Sequence, residues 1–248
     1  MSSQDLDIGE KAISKAVEAG IKSQLDQVES IDVEIHTDPV KLAQGQVESA
    51  LIKAKGTVLK NGLRTESLTM EIGSADIYAT KVALGKIELE EPVDAAAQIV
   101  LKAEDIQAAF NSDFVKKKLR GTKVELPSGE KVTTDASNVS FTIPKAGRIA
   151  LAADVMLIEK VETHHVEFSA VPQIIDNGHS VTLKEIEYDD ATNDMPALTQ
   201  SLIDSTEALL DLRNFELSNM SLKFDQLEIE PGQLMITAHA NIQSFETD

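Results

Sequence analysis

No cysteine and no tryptophan occur among the 248 residues, and all aromatics together make up only 4%. The first absence excludes disulfides, thiolate nucleophiles and cysteine-held metals. The second means that an interior must be filled by many smaller aliphatic groups or stay partly open. An open space with such a lining is dry and accepts hydrocarbon. Glycine and proline are also sparse, at 12 and 7. With no linker and no internal repeat, residues 1–248 are expected to form a single domain, since β-rich folds often run to roughly 200–250 residues as one unit.

Basic residues are too few to balance the acids: 23 against 42, a formal charge of −19. Such a surface repels phosphate backbones, so nucleic acid is excluded as a partner. It also repels anionic membranes, so membrane contact is expected to be transient and confined to a patch. Long apolar runs are missing as well. The opening residues, MSSQDLDIGEKAISKAV, interrupt every apolar run with acids or lysines. Neither a secretory signal nor a membrane span is expected, and the expected location is cytoplasmic, at most peripheral to a membrane.

Recognisable catalytic chemistry is equally scarce. No GxSxG elbow, Walker loop or dinucleotide GxGxxG occurs, and Gly45, Gly56, Gly62, Gly73 and Gly85 are too separated to cradle a phosphate. His164 and His165 are adjacent, yet in a strand they leave opposite faces, which argues against a shared metal ion. His36 and His239 fall on polar parities and His179 follows a turn. Glu88, Glu90 and Glu91, or Asp189 and Asp190, could do acid–base work if buried, but in a chain this acidic they read as solvated surface. The expectation is a non-enzyme with no cofactor, no catalytic residue and no metal site.

What the chain does have is patterning. Ile31, Val33 and Ile35 alternate with Asp32, Glu34 and His36, the signature of a strand with one apolar face. Ser137, Val139, Phe141 and Ile143 share one parity; so do Ile149, Leu151, Ala153, Val155 and Leu157, and Leu234, Ile236, Ala238, Ala240 and Ile242. Asn61-Gly62, Ser128-Gly129, Asn177-Gly178 and Pro231-Gly232 carry hairpin chemistry between extended flanks. Four hairpins imply an antiparallel meander.

Leu6, Ile13, Val17, Ile21, Leu25 and Val28 recur at helical spacing and predict one long amphipathic N-terminal helix. Ala12, Ala16, Ala19 and Gly20 would let a sheet or an acyl chain come close, though such residues also serve ordinary helix packing. Two further helices are predicted, at Glu104–Lys118 and at Pro196–Leu212, the second with Asp194 as cap. Lys116 to Arg120 (KKKLR) is either a basic last turn complementing a helix C-terminus or a lipid-headgroup patch. The fold class is α+β.

The stretch from Ile31 to Leu89, with Ala103–Val115 (AEDIQAAFNSDFV) and Leu209–Phe224 (LLDLRNFELSNMSLKF), resembles the LmeA-like phospholipid-binding family, most closely its cyanobacterial members. The motifs that carry the resemblance are Leu42–Gly45 (LAQG), Gly85–Leu89 (GKIEL) and Arg213–Leu217 (RNFEL), in the same order over nearly the whole chain. The resemblance implies a tubular-lipid-binding (TULIP-like) module, a long N-terminal helix cradled by a strongly curved antiparallel sheet, with two further short helices. It implies phospholipid or fatty acid as partner, held in an apolar tunnel and transferred between membranes. The expected lining is Ile13, Ala16, Val17, Gly20 and Ile21 from the first helix facing Ile149, Leu151, Val155 and Leu157. The competing expectation is an interaction protein of the same fold with a filled core and an acidic partner-binding surface.

Overall fold

The computed structural model describes residues 3–59, 62–78, 81, 88–188, 195–210 and 220–243. Its strands are β1 (Leu25–Gln27), β2 (Ser30–His36), β3 (Gln46–Val47), β4 (Ser49–Leu59), β5 (Arg64–Ile72), β6 (Ala75–Asp76), β7 (Val93–Lys102), β8 (Arg120–Glu125), β9 (Lys131–Lys145), β10 (Arg148–Leu157), β11 (Glu162–Ile175), β12 (Ser180–Glu187), β13 (Met220–Glu230) and β14 (Gln233–Ile242). The helices among the described residues are α1 (Ser3–Gln24), α2 (Pro39–Ala43), α3 (Ala103–Phe110), α4 (Asp113–Leu119) and α5 (Pro196–Leu209). The fold is α+β, with a long N-terminal helix against a curled antiparallel sheet.

Two large sheets carry the fold. A seven-stranded sheet runs β1-β4-β5-β7-β14-β13, with β2 also paired to β4; a five-stranded sheet runs β12-β11-β10-β9-β8. All their pairings are antiparallel. Three of the expected hairpin turns join β8 to β9, β11 to β12 and β13 to β14. The fourth, between β4 and β5, falls partly outside the described residues, which include Gly62 but not Asn61.

Each sheet has its own core. Ile13 and Val17 of α1 pack with Val33, Ile35, Ile52, Ile72, Ala240 and Ile242 of the seven-stranded sheet. Leu198, Leu202 and Ile203 of α5 pack with Val139, Phe141, Leu151, Val155, Leu157 and Phe168 of the five-stranded sheet. The even-numbered face of β14 connects them: Ile242 and Ala240 lie in the first core, Ala238 and Ile236 in a small intermediate cluster, and Leu234 against the second core.

The backbone closes the same seam. Gly147 N–H donates to Ile229 C=O at 3.0 Å and Gly232 N–H to Ile143 C=O at 3.3 Å. Gly178, at φ +96°, lies so close to β13 that a Cβ there would sit 2.4 Å from the Phe224 carbonyl oxygen. No side chain fits that contact, so the β11–β12 turn requires glycine.

Several expectations are corrected locally. α1 ends at Gln24, and Leu25 starts β1 by pairing with Leu59 instead of extending the helical stripe. The predicted helix at 104–118 is two helices. Ser112 caps the second by accepting from Val115 N–H at 3.3 Å, while Asn111 donates from Nδ2 to Val139 C=O at 2.6 Å and accepts from Val139 N–H at 3.2 Å. In β9, Ser137 is exposed, although Val139, Phe141 and Ile143 are buried. An extra residue in the register beside Asn138, at φ +51°, flips the parity, so Val132, Thr134 and Ala136 are the inward residues before it. Asp194 and Leu212, named for the last helix, lie outside the described residues, but Pro196 does occupy its first turn.

Candidate functional site

Among the described side chains, a continuous set of aliphatic residues is packed between α1 and the seven-stranded sheet. Helical spacing turns Ile13 and Val17 inward, at 4% and 8% exposure, and Ala16 and Ile21 flank them half-buried; Gly20 is half-buried too. Beneath them Val33, Ile35, Ile52 and Ile72 supply the facing side chains, by the period-two alternation of β2, β4 and β5. A void of about 40 Å3 remains there, lined wholly by aliphatic side chains from α1, β2 to β6, Ile77 and Leu89. At one end of the layer Glu10 accepts from Thr37 N–H at 3.2 Å, holding α1 to the chain just past β2.

Ile149, Leu151, Val155 and Leu157 do not face this space. They point inward, as their parity demands, with Leu151 and Leu157 at 0% exposure, but into the core covered by α5. The two sets expected around one tunnel therefore occupy separate cores. A period of two fixes the face on which a residue lies, and it leaves open which helix covers that face.

A second space lies at the α5 core. A cleft of about 620 Å3 opens between α4, β8 and α5, lined by Phe114, Lys118 and Leu119, by Thr122 to Glu125, and by Ala197, Gln200, Ser201, Asp204, Ser205, Ala208 and Leu209. The α5 residues recur at three- and four-residue spacing, so one stripe of that helix faces the cleft while Leu198, Leu202, Ile203 and Thr206 are buried on the other side. Sequence reasoning missed this cleft, whose walls are some eighty residues apart in the chain. Its one advance signal was the KKKLR run, in which Lys116, Lys117 and Lys118 do form the basic last turn of α4.

The polar candidates are dispersed. Val155 pairs with His164 and Asp154 with His165 across β10 and β11, so the two imidazoles diverge: His164 shares the inward face of Val166 and Phe168, and His165 Nδ1 lies 2.9 Å from Asp154 Oδ1. That hydrogen bond, with one from Asn138, holds the Asp154 carboxyl below its ordinary range. His239 pairs with Asp225, Glu88 pairs with Lys81, and Glu90 and Glu91 are exposed. Asp189 and Asp190 lie outside the described residues. Among the described residues no group of three or more His, Asp or Glu is placed to hold a metal ion, and no helix is long and apolar enough to cross a membrane.

An amphipathic helix thus lies on a curled antiparallel sheet, with aliphatic side chains packed between them. The sequence matches the LmeA-like phospholipid-binding family over residues 6–239, and the protein belongs to that family. No curated protein matches it. The motif residues Leu42–Gly45 are described, closing α2; Gly85–Ile87 and Arg213–Leu217 are not.

Proposed function

We infer that this protein binds phospholipid by taking acyl chains into the layer between α1 and the seven-stranded sheet, and that it carries lipid between membranes as a single non-catalytic module. The observation that supports this reading is the all-aliphatic void beneath α1. Ile13, Ala16, Val17, Gly20 and Ile21 are the helix side of the lipid-binding layer; the β10 residues are not included, because they fill the other core.

At about 40 Å3 the void is little larger than the roughly 30 Å3 that one water occupies in the liquid. An acyl chain therefore enters only if α1 lifts from β2 and β4. Relative to water, burying about 16 carbons recovers on the order of 12 kcal/mol, at roughly 0.8 kcal/mol per CH2, so the opened layer removes most of the cost of carrying the chain through water.

The test is uptake of a fluorescent fatty acid alongside thermal unfolding, for wild type, Ala16→Phe and Gly20→Leu. If the layer opens for lipid, wild type takes up the fatty acid and the added bulk, which occupies the ligand's space, lowers that uptake. The closed layer also favours a second reading, a filled-core interaction protein whose acidic surface holds a partner. On that reading wild type takes up no fatty acid, and both substitutions overpack the layer at a cost of about 1–3 kcal/mol.

A further inference from the structure

The five-stranded sheet meets the rest of the molecule at one end of β9 and β10, where the hydrogen bonds from Gly147 to Ile229 and from Gly232 to Ile143 close the seam. The β10–β11 turn lies at the opposite end of the ten-residue β10, roughly 30 Å away at about 3.3 Å per residue. It consists of Ile158, Glu159, Lys160 and Val161, and is closed by Val161 N–H donating to Leu157 C=O at 2.8 Å.

Two observations set this turn apart. Val161 is at φ +56°, in the left-handed region where a β-branched side chain is strained and glycine or asparagine is the ordinary occupant. The other non-glycine residues at positive φ among the described residues are Asn138, Asp176, Asn177 and Glu185. The turn is also inverted in polarity. Its charged side chains fold back onto the protein: Glu159 accepts from Thr133 N–H and from Thr133 Oγ1, each at 2.7 Å, and Lys160 Nζ lies 2.8 Å from Glu130. What it sends outward is apolar, Val161 at 82% exposure and Ile158 at 43%. The remaining exposed large apolar side chains among the described residues, such as Val40 and Phe114, stand singly.

Exposed aliphatic side chains gain free energy when they leave water. A convex pair of them needs no matching groove if the receiving surface is a bilayer, which is where phospholipid, the ligand class of the family, resides. Resting on the lipid-binding reading for its partner, we propose that the β10–β11 turn is the point at which the protein touches a zwitterionic phospholipid bilayer. Ile158 and Val161 enter among the headgroups and first methylenes. Glu159 and Lys160 keep their protein partners, so no charge is stripped of its partner as the turn leaves water. The surface is a neutral one because the chain, with a formal charge of −19, is repelled by an anionic one.

The chain has no tryptophan, so Ile158→Trp places a single fluorescent reporter on the turn. Ile175→Trp, at the opposite end of β11, is the control, and both positions are exposed. Each variant of the full chain is mixed with unilamellar phosphatidylcholine vesicles, with and without brominated acyl chains. The expected result is a blue shift and bromine quenching for Ile158→Trp and neither for Ile175→Trp. In vesicle flotation, Ile158→Ser/Val161→Asn should bind at least tenfold more weakly than wild type; asparagine accepts the left-handed backbone, so the unfolding midpoint does not fall. An unmoved Ile158→Trp signal on protein that floats, equal responses from both reporters, or full flotation of the double variant would each overturn the proposal. Wild type that does not float would overturn it as well, and fatty-acid uptake in vesicle-free solution then separates the two readings. Uptake there leaves the acyl layer standing; its absence overturns both.

Discussion

Gly56 illustrates how much a single missing side chain can route. It sits at φ +57° on β4, opposite the break between β1 and β2, where pairing passes from Gln27↔Val58 to Ser30↔Lys55. A Cβ there would lie 2.2 Å from the Glu29 side chain. Across that gap Glu29 reaches Arg64 Nη2 at 2.7 Å, while Arg64 Nη1 donates at 3.0 Å to both Glu66 and Asp105. Lys102 adds a contact to Glu66 at 3.0 Å, and its hydrogen bond, followed by that from Arg64, holds the Glu66 carboxyl below its ordinary range. Asp105 belongs to α3, so the network ties that helix to the sheet. Gly56→Ala brings both the φ strain and the collision, and should cost about 1–3 kcal/mol in urea unfolding. Adding Glu29→Ala should recover the collision but not the strain. A stability equal to wild type in the single variant would mean that the strand break is located elsewhere.

At the scale of elements, what decides is a contact from far along the chain. The apolar series Ile106, Phe110, Val115 and Leu119 runs on across Asn111 and Ser112, so periodicity alone reads one helix. The break comes from Asn111 bonding both backbone groups of Val139, twenty-eight residues away, with Ser112 positioned to start a new turn. Ser112→Ala should remove about 1 kcal/mol of cap stabilisation and lower the thermal midpoint by roughly 2–4 °C. An unchanged midpoint would show that the Asn111 contact holds the helix pair unaided. Where one element suffices, the sequence was legible. The inward faces of β10 and β14, the stripe of Ile13 and Val17, and the opposed imidazoles of His164 and His165 all follow from periods of two or 3.6. The bulge at Asn138, the partition of Ile13 and Leu151 into different cores, and the cleft shared by α4, β8 and α5 were not legible. Each depends on which elements meet, which a local period does not encode.

For the whole molecule the governing quantity is charge. Two competing effects respond to salt: the exposed ion pairs weaken with it, and the mutual repulsion of nineteen excess negative charges is relieved by it. The pairs are numerous but mostly half-exposed, such as Lys53–Glu34 at 51% and 44%, and each contributes about 0–1 kcal/mol. The repulsion runs over roughly 170 charge pairs, each about 0.2 kcal/mol at about 25 Å in water, on the order of 30 kcal/mol before screening. Unfolding expands the chain from a radius of gyration of about 18 Å to about 55 Å and relieves most of it, so repulsion favours the unfolded state. Raising ionic strength from 0.01 to 0.15 M shortens the Debye length from about 30 to about 8 Å, which removes most of the long-range repulsion but little of the contact attraction. The thermal midpoint should therefore rise by several degrees between 10 and 150 mM sodium chloride, as read by circular dichroism. A fall would mean that the ion pairs, above all those around Arg64, outweigh the net charge. The same field opposes approach to an anionic membrane. Any such approach would have to be made by a locally basic surface, and the last turn of α4, with Lys116, Lys117 and Lys118, is a short basic run of that kind.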